Sequence, residues 1–180
     1  MIGAHAFRES KMTTSLRTFT DLYVRVLDTA AHILRKGAEH AAGLGVTEGE
    51  MLDWRLIEDM QPLRFQLMVV CNFTRQWPAR AAGLPLPGEI GADLSVEQFQ
   101  EEIANSKSWL TALAPNAFEG REDEPLTVTL GTGMSPTLPA SQWLTVFATT
   151  NVYFHLNMAY AILRSRGTQI GKIDLFPTGL

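Results

Sequence analysis

The sequence predicts an all-α chain, a four-helix bundle with a small β-hairpin before its last helix. Three observations carry this. Four long segments repeat apolar residues at spacings of three and four, the period of an amphipathic helix. Capping residues, glycines and prolines punctuate the connections between them. One short stretch alternates apolar and polar residues, the period of a strand.

In helix one, Leu16, Phe19, Tyr23, Val26, Ala30, Ile33 and Gly37 form the stripe, widened by Leu27, Leu34 and Ala41. Its far side carries Arg17, Asp21, Arg25, Asp28, Arg35 and Glu39, and the spacing predicts an Asp21–Arg25 pair. Gly43 and Gly45 end the helix. Thr47-Glu48-Gly49-Glu50 has the spacing of a capping box and predicts a short helix over about 48–55. Helix two is expected to start from a cap near Asp59 with Pro62 in its first turn. It runs to about Ala82, with Gly83 past its end and Pro78 disturbing its last turn. Between Phe65 and Phe73 it is apolar nearly all round, as the central buried helix would be.

Leu84-Pro85-Leu86-Pro87-Gly88 reads as extended linker. Ser95-Val96-Glu97-Gln98 is a second capping box, opening a stripe of Val96, Phe99, Ile103, Ser106, Leu110 and Leu113 that stops at Pro115. Leu126, Val128 and Leu130 alternate with threonines, Gly131 to Gly133 can turn the chain, and Ser135 to Pro139 returns as an edge strand carrying two prolines. Ser141 is the expected cap of the last helix. It runs to about Arg166 with Leu144, Phe147, Ala148, Asn151, His155, Met158, Ala159 and Ile162 on one face, and Gly167 stops it. The tail is expected to pack over the bundle end through Ile170, Ile173, Leu175 and Phe176. Residues 1–14 lack periodicity and read as a loose arm, with Met1 or Met12 as the start, before a single domain over 15–180.

Composition narrows the function classes. With 180 residues and 46 % hydrophobic residues, the chain is one globular domain rather than a disordered segment. A single cysteine, Cys71, excludes an internal disulfide and a cysteine-based zinc site; amid Val69, Val70 and Phe73 it reads as an inert core residue. Fifteen Lys and Arg against 19 Asp and Glu give a net charge of −4, without the basic footprint of a nucleic-acid binder. The longest apolar run, Leu67 to Cys71, falls far short of the roughly 20 residues of a membrane helix. No secretory signal opens the chain, so a soluble cytoplasmic protein is expected, with no nucleic-acid or membrane partner. There is no nucleophile elbow or P-loop, and Gly131-Thr132-Gly133 is a turn rather than a dinucleotide fingerprint.

Bundles build sites from inward-facing polar residues. His5, His32 and His40 read as solvated surface. His155 differs, because it lies in the apolar stretch Val152-Tyr153-Phe154-His155-Leu156 with Asn151 one turn earlier. A buried imidazole needs a partner for its N–H. Gln66, on the Leu63/Leu67/Val70 stripe of helix two, is the plausible one. Three roles are open to this group: a satisfied core network, a ligand pocket, or a metal site. Metal is the weakest, since zinc or nickel takes three or four His, Cys or carboxylate ligands. Helix four offers Asn-x-x-x-His, and Glu58 and Asp59 could add charge only if the start of helix two points inward. Arg164 and Lys172, with Asp174, are expected around the end of helix four, as a cap or an anion pocket.

These residues also carry a likeness. Leu56-x-x-Asp59-Met60-x-Pro62-Leu63-x-x-Gln66 resembles the helix-two signature of a family of uncharacterised bacterial proteins within the DinB/YfiT-like four-helix-bundle superfamily. Asn151-x-Tyr153-Phe154-His155, then Ala159-Tyr160-Ala161-Ile162-Leu163-Arg164, resembles its last helix, and Gly167, Gly171, Lys172 and Asp174 its tail. The resemblance spans roughly Leu16 to Asp174. It implies an up-down-down-up bundle, often dimeric through helix faces. Members of the wider superfamily hold a divalent metal with three histidines, and some are thiol-dependent transferases or isomerases. This sequence departs from that triad, with Asn151, His155 and Gln66 at the corresponding places, and has Thr150 where the family usually has proline.

The expectation is therefore a small-molecule-binding module with a degenerate metal site. Its ligand-binding candidates are Asp59, Gln66, Asn151, His155, Tyr160 and Arg164, with His155 as the one metal-ligand candidate and a homodimer as the expected assembly. The alternatives are a metal-dependent enzyme of the thiol-transferase type and a purely structural or interaction protein.

Overall fold

In the computed structural model, residues 15–131 and 133–179 are described; the N-terminal arm, with His5, Met1 and Met12, lies outside them. The elements are α1 (Leu16–Gly43), α2 (Glu48–Leu52), α3 (Leu63–Ala82), α4 (Val96–Ala112), β1 (Pro125–Thr127), β2 (Thr137–Pro139), α5 (Ala140–Gln142), a π-helical turn (Trp143–Ala148), α6 (Thr149–Ser165) and a 3-10 turn (Lys172–Leu175). From α5 through α6 the chain is one unbroken helix, 140–165. Among the described residues no helix is long and apolar enough to cross a membrane.

Side-chain contacts give the helix directions. Tyr23 near the start of α1 meets Leu144 and Thr149, while His40 near its end meets the Arg166 carbonyl, so α1 and helix 140–165 run parallel. Arg17 donates to the Leu113 carbonyl and Gln100 to that of Ala31, so α4 is antiparallel to α1. Trp77 at the end of α3 stacks on Trp143 at the start of the last helix, while Gln66 at its beginning meets His155, so those two are antiparallel. The bundle is therefore up-down-down-up, with the ring order α1, α4, α3, last helix.

Two consecutive down helices require the chain to travel back along the bundle between them, a span of about 30 Å at 1.5 Å per residue of α3. The linker does this against α3 itself. Its Gly88 carbonyl accepts from Arg75, Ile90 exchanges two 3.0 Å hydrogen bonds with the Asn72 side chain, and Asp93 pairs with Arg64. Gly83, at φ +67, makes the left-handed turn out of α3, and an added Cβ there would lie 2.5 Å from the Arg121 guanidinium.

The last helix buries Leu144, Ala148, Val152, Leu156, Ala159 and Leu163. The expected face is thus rotated, with Asn151, His155 and Met158 half-buried on its flank. Three successive spacings of four would each carry an α-helical stripe about 40° off its face. The wider turn Trp143–Ala148 takes up part of that drift. Its Leu144 carbonyl accepts the Thr149 N–H, as a π turn requires. The Thr149 hydroxyl at 2.9 Å and the buried Tyr23 hydroxyl at 3.2 Å also approach that oxygen, and the two hydroxyls lie 3.0 Å apart. Burial holds the Tyr23 phenol well above its ordinary range, so it stays protonated. A glycine serves the opposite half of this seam: a Cβ on Gly37 would fall 2.5 Å from Leu163.

Several local expectations change. α3 begins at Leu63 with Pro62 as its N-cap rather than near Asp59, because proline forces the residue before it out of the helical region. The short helix ends at Leu52. Ser141 is not a cap: the loop carbonyls of Glu124 and Glu122 already accept the Ala140 and Ser141 N–H groups. Arg17, not Arg25, pairs with Asp21. Of the expected tail residues Ile170 is buried in the core, whereas Ile173 is 79 % exposed and the tail beyond it does not stay at the bundle end. It runs back along α1, where the Leu175 and Gly179 carbonyls accept from Thr29 and Arg25.

His32 is likewise not solvated surface. Its Nε2 lies 2.7 Å from Asp174 Oδ1, which also accepts from Lys36, while Asp174 Oδ2 accepts the Gly171 N–H. The His32 hydrogen bond first, then that of Gly171, hold the Asp174 carboxyl down at about 2.

Removing the Tyr23 hydroxyl leaves the Leu144 carbonyl one buried partner short. Tyr23→Phe is expected to lose about 1–2 kcal/mol in urea unfolding with an unchanged slope; no loss would mean that the triangle contributes nothing. Asn72→Ala should speed amide exchange at Ile90 selectively while leaving that of α1 unaffected, and equal acceleration everywhere would show that the linker is not held locally.

Candidate functional site

The site lies where the first turn of α3 meets the middle of α6. Gln66 follows Pro62 by one turn and its side chain is buried. Its Nε2 donates to the Gln61 carbonyl at 2.9 Å, which fixes the amide, since the flipped group would oppose two carbonyl oxygens. Gln66 Oε1 therefore faces α6 as an acceptor. His155 Nδ1 donates to it at 2.7 Å. Two aromatic edges complete the seat, Phe65 at 6.0 Å and Phe154 at 5.1 Å between ring centroids.

This fixes the electronic state of the ring. Burial lowers the imidazole's pKa from its ordinary 6.5, so the neutral form prevails at neutral pH. With Nδ1 carrying the proton, Nε2 keeps its lone pair, and it has no partner among the described residues. The group can accept a hydrogen bond or a proton at one defined atom.

The other candidates fall around this pair unevenly. Asn151 lies one turn before His155 on the same flank, but its Nδ2 donates to the Phe147 carbonyl at 2.8 Å and not to the imidazole. It lines a recess of about 310 Å³ with Gln142, Val146 and Phe147. Asp59 is exposed in the turn before α3. Tyr160 packs half-buried on the core. Arg164 reaches the Thr168 carbonyl at 3.4 Å, a tether of the helix end, away from Asp174, which the tail carries to α1. The contributions of the Gln61 carbonyl and the Phe65 ring escaped sequence reasoning; a backbone acceptor leaves no side-chain signal.

A three-histidine metal site does not fit these residues. Nε2 is a single donor, and the Gln66 oxygen is already engaged. Among the described residues no group of three or more His, Cys, Asp and Glu could hold a metal ion. Cys71 cannot supply a thiolate there, since burial pushes its thiol up to about 12.

Comparison with known proteins agrees with the architecture. No curated protein matches the sequence. Among solved structures, the crystal structure of a DinB family member protein from Shewanella denitrificans superposes with a TM-score of 0.75, covering 90 % of this chain and 95 % of that one at 21 % identity. At that identity the likeness shows the fold, an all-α DinB-like bundle, and the site chemistry is not carried across. A family model described as a domain of unknown function, DUF1993, matches residues 17–176. With nearly its whole length matched, the chain belongs to the DUF1993 family.

Proposed function

We propose that this protein is a small-molecule-binding module in which the superfamily's metal site has degenerated to one imidazole. The observation that carries the reading is the 2.7 Å Gln66–His155 hydrogen bond, which holds a half-buried ring in one tautomer with Nε2 unengaged. A ligand N–H or O–H would donate to Nε2, while its less polar part would extend toward the recess beside Asn151 and Phe147. Gln66 would act by positioning, because its amide is locked before any ligand arrives.

Two measurements on one preparation test this. Protein purified without a histidine tag and without chelator is expected to hold well under one transition metal per chain. In a metabolite panel, at least one compound should raise the melting temperature of the wild type, and His155→Ala should abolish that rise. Saturation near a hundredfold over Kd corresponds to about 2.7 kcal/mol of added stability. About one zinc, nickel or iron per chain, lost in His155→Ala, would instead revive the metal-dependent thiol-transferase reading. A panel without any response, in a metal-free protein, would leave the interaction-protein reading.

A further inference from the structure

The opposite flank of α6 bounds a different space. A cavity of about 260 Å³ lies between α1, α6 and the tail segment 175–179. Val26 and Leu156 form its apolar wall, and Leu175 and Phe176 contribute from the tail. On α6, Tyr153 and Asn157 line it at a four-residue spacing, on the side of the helix away from His155. It is therefore separate from the Gln66–His155 site.

Three of its polar side chains, those of Arg25, Tyr153 and Asn157, are exposed to solvent. Arg25 contributes a guanidinium whose only hydrogen bond among the described residues is to the Gly179 carbonyl at 3.1 Å. The Tyr153 hydroxyl and the Asn157 amide, both on exposed residues, can each donate or accept. Among the described residues no aspartate or glutamate lines the space. One cation and two polar groups that can either donate or accept thus meet an apolar wall. The tail that closes the cavity is anchored rather than merely adjacent, by Thr29 on Leu175 and by His32 and Lys36 on Asp174.

We propose that this cavity is a binding site for a small monocarboxylic acid with a compact apolar body, its carboxylate on Arg25 and its body against Val26 and Leu156. An arginine fork matches a carboxylate with two parallel N–H donors, which an amine or alcohol of the same shape cannot use. The volume lies just under the range for drug-sized ligands, which restricts the body to roughly a phenyl ring or a short alkyl chain.

Phenylacetate is a suitable probe, with 2-phenylethanol and 2-phenylethylamine as neutral and cationic counterparts, titrated into the full chain by amide NMR. Phenylacetate is expected to shift the amides of 153–157 and 175–179 saturably, and the amine to shift none. Arg25→Gln should weaken phenylacetate by about tenfold, and Arg25→Lys, which keeps the charge, by less. Equal weakening of phenylacetate and 2-phenylethanol by Arg25→Gln would mean that the charge is not read, and would overturn the proposal. Equal binding of acid and amine would overturn it too, as would no saturable shift at millimolar phenylacetate. Shifts confined to Gln66 and His155 would place the acid in the other site and likewise refute this one.

Discussion

The last helix must bury one stripe against α1 and α3 at once, and a regular α-helix cannot keep that stripe aligned. Leu144, Ala148, Val152 and Leu156 recur every four residues, and the period of 3.6 would rotate them progressively off the core. The π turn at Trp143–Ala148 absorbs part of this drift, at the cost of an awkward carbonyl environment at Leu144. The phenol of Tyr23 reaches across from α1 to answer it. The same turn places Trp143 and Phe147 against Trp77, an aromatic cluster with centroids 5.0–5.2 Å apart that locks the end of α3 to the start of the last helix.

From that rotation the two candidate sites follow. With Val152, Leu156 and Ala159 turned inward, His155 stands on the α3 flank and Tyr153 and Asn157 on the other. On the first flank a glutamine locked by a backbone carbonyl meets the imidazole, and the ring is neutral for a simple reason: burial disfavours its charged form. The hydrogen bond to Gln66 survives in both protonation states, because Nδ1 carries a proton in each. Gln66 therefore sets the tautomer of the neutral ring, and burial lowers the proton affinity. On the second flank the tail, tied to α1 through Asp174, closes over an apolar-walled space that Arg25 borders.

Much of this was legible in the sequence, for local reasons. Helix periods and capping boxes act within a few residues, and Thr47 and Ser95 cap as their spacing predicts. The Gln66–His155 pair was legible because two polar groups on apolar stripes have few partners except each other. The π turn was not, since it answers a demand from two neighbouring helices and no local residue pattern encodes it. The spacing predicts Asn151 facing the site, yet a mid-helix asparagine can satisfy itself on the carbonyl four residues back, and this one does. His32 and Asp174 lie 142 residues apart, and nothing in either neighbourhood names the other.

The central claim is that Gln66 presents a neutral His155 with its Nε2 lone pair unengaged. Nitrogen NMR of the His155 ring in the unliganded wild-type protein, across about pH 5 to 8, tests it directly. The predicted result is a proton on Nδ1, a bare Nε2, and a titration midpoint below 6.5. Stability would then be complete above about pH 6.5 and would fall as pH drops from there toward the lowered folded value, since the unfolded chain takes the proton first. A proton resident on Nε2, or a midpoint at or above 6.5, would contradict the claim.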